Sequence, residues 1–290
     1  MFNPSEALWG YLFLTPTLIG LFLFSAGAMI ATGLLSFTDC SILTPPEWVG
    51  LQNYRALFSD PLFIKALGNT VYYTFSVVPL SLFWALFFAL FLNGKIRGVK
   101  VYRIIYFLPV VSSVVAIALT WGWLYNPEFG LVNYVLSLFH IKGPGWIADS
   151  SWSMPAVIIM SVWQGLGYPI IIFLSGLKNI PTEYYEAAQI DGANLYHVFT
   201  KITLPLLSPT IFFLLIINFI GSFQVFESTY ILTQGGPVNS TLTLVYYLFM
   251  NAFNYLRMGY ASAIGMIGFI IVLIFTVVQL KFQKRWVYYE

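Results

Sequence analysis

From Ala7 to Thr38 the chain carries no charged side chain. A helix needs about 20 mainly apolar residues to cross a bilayer, and this run exceeds that. Hydrocarbon offers no water to backbone N–H and C=O groups, so a segment there must pair them internally, as a helix does. Nothing basic precedes the run and it exceeds the apolar region of a secretory leader, which argues against a cleaved signal. Composition settles its environment: 59% of the residues are hydrophobic and 8% are charged, against about 25% charged in average soluble domains. A soluble chain of 290 residues this apolar could not cover its own surface. The expectation is an all-α integral membrane protein.

Six stretches are apolar enough to span: residues 8–36, 69–92, 104–125, 154–177, 208–229 and 261–280. Each is expected as one helix. Pro16, Gly20, Gly27, Gly33 and Pro109 fall inside spans, where membrane helices tolerate them. Residues 38–68 are polar and turn-rich, with a short surface helix expected at 53–58. Residues 126–153 hold the Gly143-Pro144-Gly145 turn, and 230–259 hold LTQGGP and an amphipathic stretch at 246–253. The organisation read from this is a first span with an external loop (1–68), a five-span core (69–282) and a tail (283–290).

Lysine and arginine in the connecting loops orient the spans, cytoplasmic loops being richer in them. Lys95, Arg97, Lys100, Arg103, Lys178, Lys201, Lys281, Lys284 and Arg285 fall on one side. Arg55, Lys65, Lys142 and Arg257 fall on the other. Both termini are therefore expected in the cytoplasm and the LTQGGP loop outside. Trp9, Tyr11, Trp121, Trp123 and Trp152 sit near span ends, where interfacial aromatics concentrate.

Several chemistries are excluded. Cys40 is the sole cysteine, so no internal disulfide or cysteine metal site forms. His140 and His197 are far apart, and neither a metal site nor a catalytic residue is expected. The only Gly-Lys step, Gly94-Lys95, is followed by Ile96, and Ala89 stands where a phosphate-binding loop needs glycine. A nucleotide that drove this protein would have to bind another subunit.

Residues 183–209, EYYEAAQIDGANLYHVFTKITLPLLSP, stand out between two apolar runs. Glu183 and Glu186 lie in the first turns of a helix opened by Pro181-Thr182, where carboxylates suit the dipole and Thr182 or the next residue can cap. Gly192 permits a turn. Asn194 can cap a second helix, 195–203, that Pro205 is expected to end. Ala187, Ala188 and Ala193 are small enough for close approach by a partner. Glu186-Ala187-Ala188, Gly192, and Ile202, Leu204 and Pro205 at their spacing match the EAA---G---------I-LP signature of binding-protein-dependent ABC importer permeases. The phrases WVGLQNYRALFSDP, NTVYYTF, GVKVYRIIYFLP and LTQGGP resemble the carbohydrate-uptake class, in the subunit type of the larger maltose permease but in a leaner six-helix form.

The resemblance implies a type I permease fold in a prokaryotic cytoplasmic membrane and a complex of several proteins. A second permease would complete the pore, and two ATPase subunits, holding ATP and Mg, would seat the coupling segment (178–207). An external binding protein would deliver a carbohydrate-like solute. Glu186 would contact the ATPase, with Ala187, Ala188 and Gly192 permitting packing and turning, and Ile202, Leu204 and Pro205 closing the segment. No nucleic acid is implied, and membrane lipid surrounds the chain.

Polar residues within spans are functional candidates by default. Asn218, Ser222 and Gln224 in the fifth span qualify, Asn218 about 15 Å beyond Ser208 at about 1.5 Å per residue. Trp163, Gln164, Gly167 and Tyr168 qualify in the fourth, where the Gly-Tyr step resembles a solute-contacting position of the family. Amides bond sugar hydroxyls, and aromatic faces stack on the apolar side of the ring. The bland alternative is that these groups bond neighbouring helices. Glu227 is expected as a solvated residue near the outer mouth. Other functions left open are import of another solute such as a glycerol phosphodiester, a self-contained channel or secondary transporter, and, without any visible acid, base or metal site, an intramembrane enzyme.

Overall fold

A computed structural model describes residues 4–41, 43–94 and 98–288. Lys95 and Arg97, two of the orienting cations, lie outside the described residues. In chain order, α1 (Pro4–Leu21) passes through a π-helical turn (Phe22–Ala26) into α2 (Gly27–Leu35). Strands β1 (Thr38–Asp39) and β2 (Glu47–Trp48) follow, then α3 (Gln52–Phe58), α4 (Pro61–Asn93), α5 (Val99–Val111), α6 (Val114–Leu124) and α7 (Leu131–Leu138). Next come α8 (Ser153–Gly165), α9 (Gly167–Asn179), α10 (Thr182–Ile190), α11 (Leu195–Val198), a π turn (Phe199–Thr203) and α12 (Leu204–Leu206). The chain continues with α13 (Ser208–Phe223), α14 (Glu227–Leu232), α15 (Leu244–Phe249), a π turn (Met250–Asn254) and α16 (Met258–Trp286).

Three helices are individually long and apolar enough to cross a membrane: 8–35, α4 and α16. Three bent pairs pass the same test together, giving up to six spans. Several expectations are corrected here. The third span is two helices, α5 and α6, bent by 100° at Ser112-Ser113. The fourth bends by 47° between α8 and α9. The fifth stops at Phe223 rather than 229, unwinds, and restarts as α14 at Glu227. The second begins at Pro61, so residues expected in the external loop form its first two turns.

The residues group into two compact units, Met1–Asp60 with Leu248–Ile270, and Pro61–Tyr247 with Ile271–Glu290. In the first, β1 and β2 pair antiparallel, Thr38 opposite Trp48, and Phe37 stacks on Trp48. The expected surface helix is present as α3 and is tied to this hairpin. Asn53 donates to the carbonyls of Ser36 (3.0 Å) and Thr38 (2.9 Å), and Tyr54 shares a hydrogen bond with Ser36 (2.7 Å). Tyr260 of α16 donates to Asp60 (2.6 Å), and Gly259 N–H donates to the Cys40 carbonyl (3.1 Å).

In the second unit α4, α8, α9 and α13 share an apolar core that includes Tyr73, Met160, Phe173 and Leu214. Ala85 and Ala89 are fully buried on α4; small residues let membrane helices approach closely, where van der Waals packing rather than water exclusion holds them. Phe219 of α13 stacks on Phe275 of α16 at 3.6 Å between centroids, with Phe75 edge-on to both. An aromatic row, Trp163, Trp121, Tyr125, Trp146 and Trp152, runs from the α8 interior to the connection before it. Trp121 is thus a packing residue, whereas Trp9, Tyr11 and Trp123 are exposed.

A Cβ added at Gly259 would come within 1.9 Å of the Thr38 carbonyl oxygen. Gly259→Ala is expected to cost about 1–3 kcal/mol by overpacking, read as a lower thermal midpoint of the detergent-solubilised protein; Gly68→Ala, inside α4 with open space around it, should leave the midpoint unchanged or raise it, alanine being the better helix former.

Candidate functional site

Helix interruptions converge on one cleft of about 720 Å³. Val110 and Val114 flank the break between α5 and α6. Ser161, Gln164 and Gly165 come from the end of α8, just before its bend. Gln224, Val225 and Phe226 are the unwound link between α13 and α14, and Glu227 and Ser228 open α14. Tyr73 reaches in from α4, its phenol hydrogen-bonded with the side chains of Ser161 and Ser228. Freed backbone groups at the unwound link are caught locally: Thr243 Oγ1 donates to the Val225 carbonyl (3.0 Å), and Val225 N–H donates to the Ser222 carbonyl (3.3 Å). Non-helical backbone at membrane depth is tolerated where it lines a cavity or is buried in protein.

Of the residues expected on a solute path, Gln164 and Gln224 line this cleft. The others lie off it. Asn218 donates to the Leu214 carbonyl one turn back (2.8 Å), and Ser222 to that of Phe219 (3.1 Å). Trp163 faces Trp121. A Cβ on Gly167 would meet the Tyr106 carbonyl at 2.4 Å, so Gly167 is where α9 packs onto α5. Tyr168 is partly exposed elsewhere on α9. Glu227 is exposed, as expected of a solvated end residue, and also lines the cleft; Tyr73, Ser161 and Ser228 were not singled out from the sequence. The signal for Tyr73 was present, a phenol inside an apolar span, but nothing in the pattern said which way it faced.

The second candidate site is the segment between α9 and α13. Its first helix, α10, is preceded by Pro181, and Thr182 makes no capping bond, contrary to expectation. The helix ends in a Schellman turn: Gly192 takes φ +73°, its N–H donates to the Gln189 carbonyl (3.2 Å), and Ala193 N–H donates to that of Ala188 (2.9 Å). Asn194 caps α11 as expected, Oδ1 accepting from His197 N–H at 2.9 Å. Pro205 does not end the second helix. The chain widens into the π turn, passes Pro205 and continues to Leu206. Widening to five-residue bonds accommodates a residue with no N–H to give.

Tyr185 and Thr203 share a hydrogen bond (3.2 Å) that ties the two helices together. Glu186 and Ala187 are exposed, Ala188 is buried by its own chain, and Ile202 and Pro205 are half-buried beside the more exposed Leu204. Thr182, Glu186, Gln189, Asn194 and Val198 help line an adjoining groove of about 840 Å³. The apex around Gly192 is apolar: Ile190, Leu195 and Tyr196 are 87%, 88% and 71% exposed. Sequence reasoning concentrated on the acids and alanines and passed over these three. Apolar residues at a polar turn were the available signal.

A solute-sized cleft walled by interrupted membrane helices, with an exposed helical pair standing off a bend, defines a multi-pass membrane protein of the transport class. The chain belongs to the family described as the binding-protein-dependent transport system inner membrane component, which matches residues 58–288. It is 40% identical to the probable ABC transporter permease protein YesP of Bacillus subtilis, over 98% of this chain and 93% of that protein. It is 35% identical to the trehalose/maltose transport system permease protein MalF of Thermococcus litoralis, over 95% and 94%. The fold is similar to a chain in the crystal structure of a bacterial alginate ABC transporter in complex with an alginate pentasaccharide-bound periplasmic protein. That match has a TM-score of 0.83 and 25% identity, over 97% of this chain and 96% of the other. The type I permease fold implied by the signature is the fold of this match.

Asn194→Ala is expected to destabilise the helical pair by about 1 kcal/mol, the usual worth of a cap. Faster hydrogen exchange at residues 195–198, with α4 unchanged, is the readout.

Proposed function

We propose that this chain is one of two different permease subunits of an ATP-driven, binding-protein-dependent importer for a sugar, oligosaccharide or polyol. The exposed helical pair carries the reading: a complete EAA signature on an element that presents an apolar apex and a free face to a protein partner. Exposed apolar patches rimmed by polar residues mark such partners. The partner proposed is an ATPase subunit, which holds ATP and Mg. Ile190, Leu195 and Tyr196 seat in it and Glu186 makes a polar contact.

Both termini and the helical pair are placed in the cytoplasm, on the side favoured by lysine and arginine, in a prokaryotic cytoplasmic membrane. The cleft supplies amides, hydroxyls and a phenol that suit a polyhydroxy solute, and the permease relative named for trehalose and maltose supports that class. Nucleotide binding draws the ATPase subunits together, the helical pair follows, and the cleft changes the side it faces. The nucleotide supplies the differential binding energy between the two states. The second permease closes the cleft, and an external binding protein delivers solute.

Purified with its co-expressed partners, the chain should bring down an ATPase; failure to do so would sink the reading. Leu195→Asp is expected to weaken that association at least about tenfold, the scale of losing a desolvated anchor. Glu186→Ala and Gly192→Val should abolish solute-stimulated ATP hydrolysis in proteoliposomes while the spans stay folded. Gln164→Ala combined with Gln224→Ala should lower the maximal import rate about tenfold, as loss of two hydrogen bonds predicts, without changing solute affinity of the binding protein.

A further inference from the structure

The joint between the helical pair and α13 is bent by 62° and is weak in itself. Pro205 and Pro209 both lack the N–H that an unbroken helix would use there. Ser208, at 3% exposure, bridges it. Its hydroxyl donates to the Pro205 carbonyl (2.6 Å) and accepts from Tyr288 N–H (3.0 Å). Tyr288, just after α16, therefore rests on the bend. Trp286 secures it, its ring edge-on to Phe212 at 5.9 Å, one turn into α13. Tyr288 also lines a crevice of about 250 Å³ with Ile180 and Pro181, which precede α10. Residues 286–288 thus brace both roots of the helical pair.

The joint is also packed closely against α9. A Cβ on Gly176 of α9 would approach Thr210 Oγ1 to 2.5 Å and Leu207 Cδ1 to 2.8 Å, and Leu207 is fully buried. The bend is thus held by close packing on α9, whose Gly176 lines the same crevice as Tyr288, and by one hydroxyl and one ring.

We infer that Ser208 and Trp286 are positioning residues for energy coupling: they hold the bend at a fixed angle, so that displacement of the helical pair turns α13 rather than being lost in the joint. The inference rests on the coupling role proposed above. The Leu207 N–H still donates to the Thr203 carbonyl (2.9 Å), but a pivot whose ladder is interrupted at two prolines transmits movement only as far as its bracing allows, because the bend otherwise flexes at the interruptions. The brace acts on the helical pair and α13 and leaves the face offered to the ATPase untouched.

The test is the number of solute molecules imported per ATP hydrolysed, by the intact complex in proteoliposomes. Ser208→Ala removes both hydrogen bonds with little change of volume, and Trp286→Ala removes the ring contact. Each is expected to assemble with the ATPase and hydrolyse ATP at near wild-type rates, while the transport-to-hydrolysis ratio falls at least about fivefold. Trp286→Phe, which keeps a ring on Phe212, should restore most of the ratio. An unchanged ratio in both alanine variants overturns the inference, as does a parallel loss of transport and hydrolysis at constant ratio, which is the mark of a merely structural role. A wild-type chain that associates with no ATPase removes the coupling reading and this inference together, whereas a coupled wild type with unaltered variants removes this inference alone.

Discussion

The hydrogen-bonding demand of the backbone in a medium without water governs this molecule. An unpaired N–H or C=O in hydrocarbon costs several kcal/mol, so each departure from helix has to be paired locally. At Ser112-Ser113 the Ser112 N–H donates to the Pro109 carbonyl (3.3 Å), its hydroxyl to that of Leu108 (2.8 Å), and the Ser113 carbonyl takes the Ile117 N–H (3.1 Å). At the unwound link after α13, Thr243 and the preceding turn do the same. At the bend before α13, Ser208 does. Hydroxyl residues recur at the breaks because a short side chain can stand in for a lost backbone partner.

That demand also explains where the cleft forms. Straight helices present apolar sides to lipid and to one another and leave no polar concavity. Breaks expose backbone and turn side chains such as Gln224 and Glu227 away from the helix wall, and three of them meet at the cleft. Tyr73 ties α4 to both α8 and α14 through Ser161 and Ser228, so the cleft wall is a bonded network and not a gap between loosely packed rods. Such networks are costly when half satisfied and rigid when complete.

The apolar runs were legible in the sequence, but the direction in which their polar side chains face was not. Hydropathy located all six apolar runs, and the short-range rules for Gly192 and Asn194 described their turn and cap, because those depend on a few neighbouring residues. The breaks were hidden. Ser112-Ser113 carries no glycine, and Pro109 lies a full turn before it, while Gln224 to Phe226 reads as a continuation of the run. The link at Gln224 to Phe226 is met by Thr243 and Tyr246, and α5 packs on α8 and α9, neighbours distant in sequence that no local pattern records. For the same reason Asn218 and Gln164 looked equivalent as polar residues in spans. One bonds its own helix and the other faces the cleft. Gly167 shows the limit from another side: a glycine is demanded there by the approach of Tyr106, a contact far away in sequence.

The cleft and the helical pair are opposite ends of one element. Ser208 starts α13 at the bend, and Gln224 follows its last residue at the cleft. Sixteen residues of helix span about 24 Å at about 1.5 Å per residue. A helix of that length with a stacked Phe219–Phe275 contact along its side is stiff compared with either of its ends. On the proposed reading, a tilt of a few degrees at Ser208 displaces the unwound link by about 1–2 Å over that length, enough to break or remake hydrogen bonds between Gln224 and a solute. A longer loop in place of the bend would absorb the same tilt. On that reading, the unusual local chemistry, two prolines, a π turn and a bridging serine within a few residues, is concentrated where stiffness would decide whether the two ends communicate.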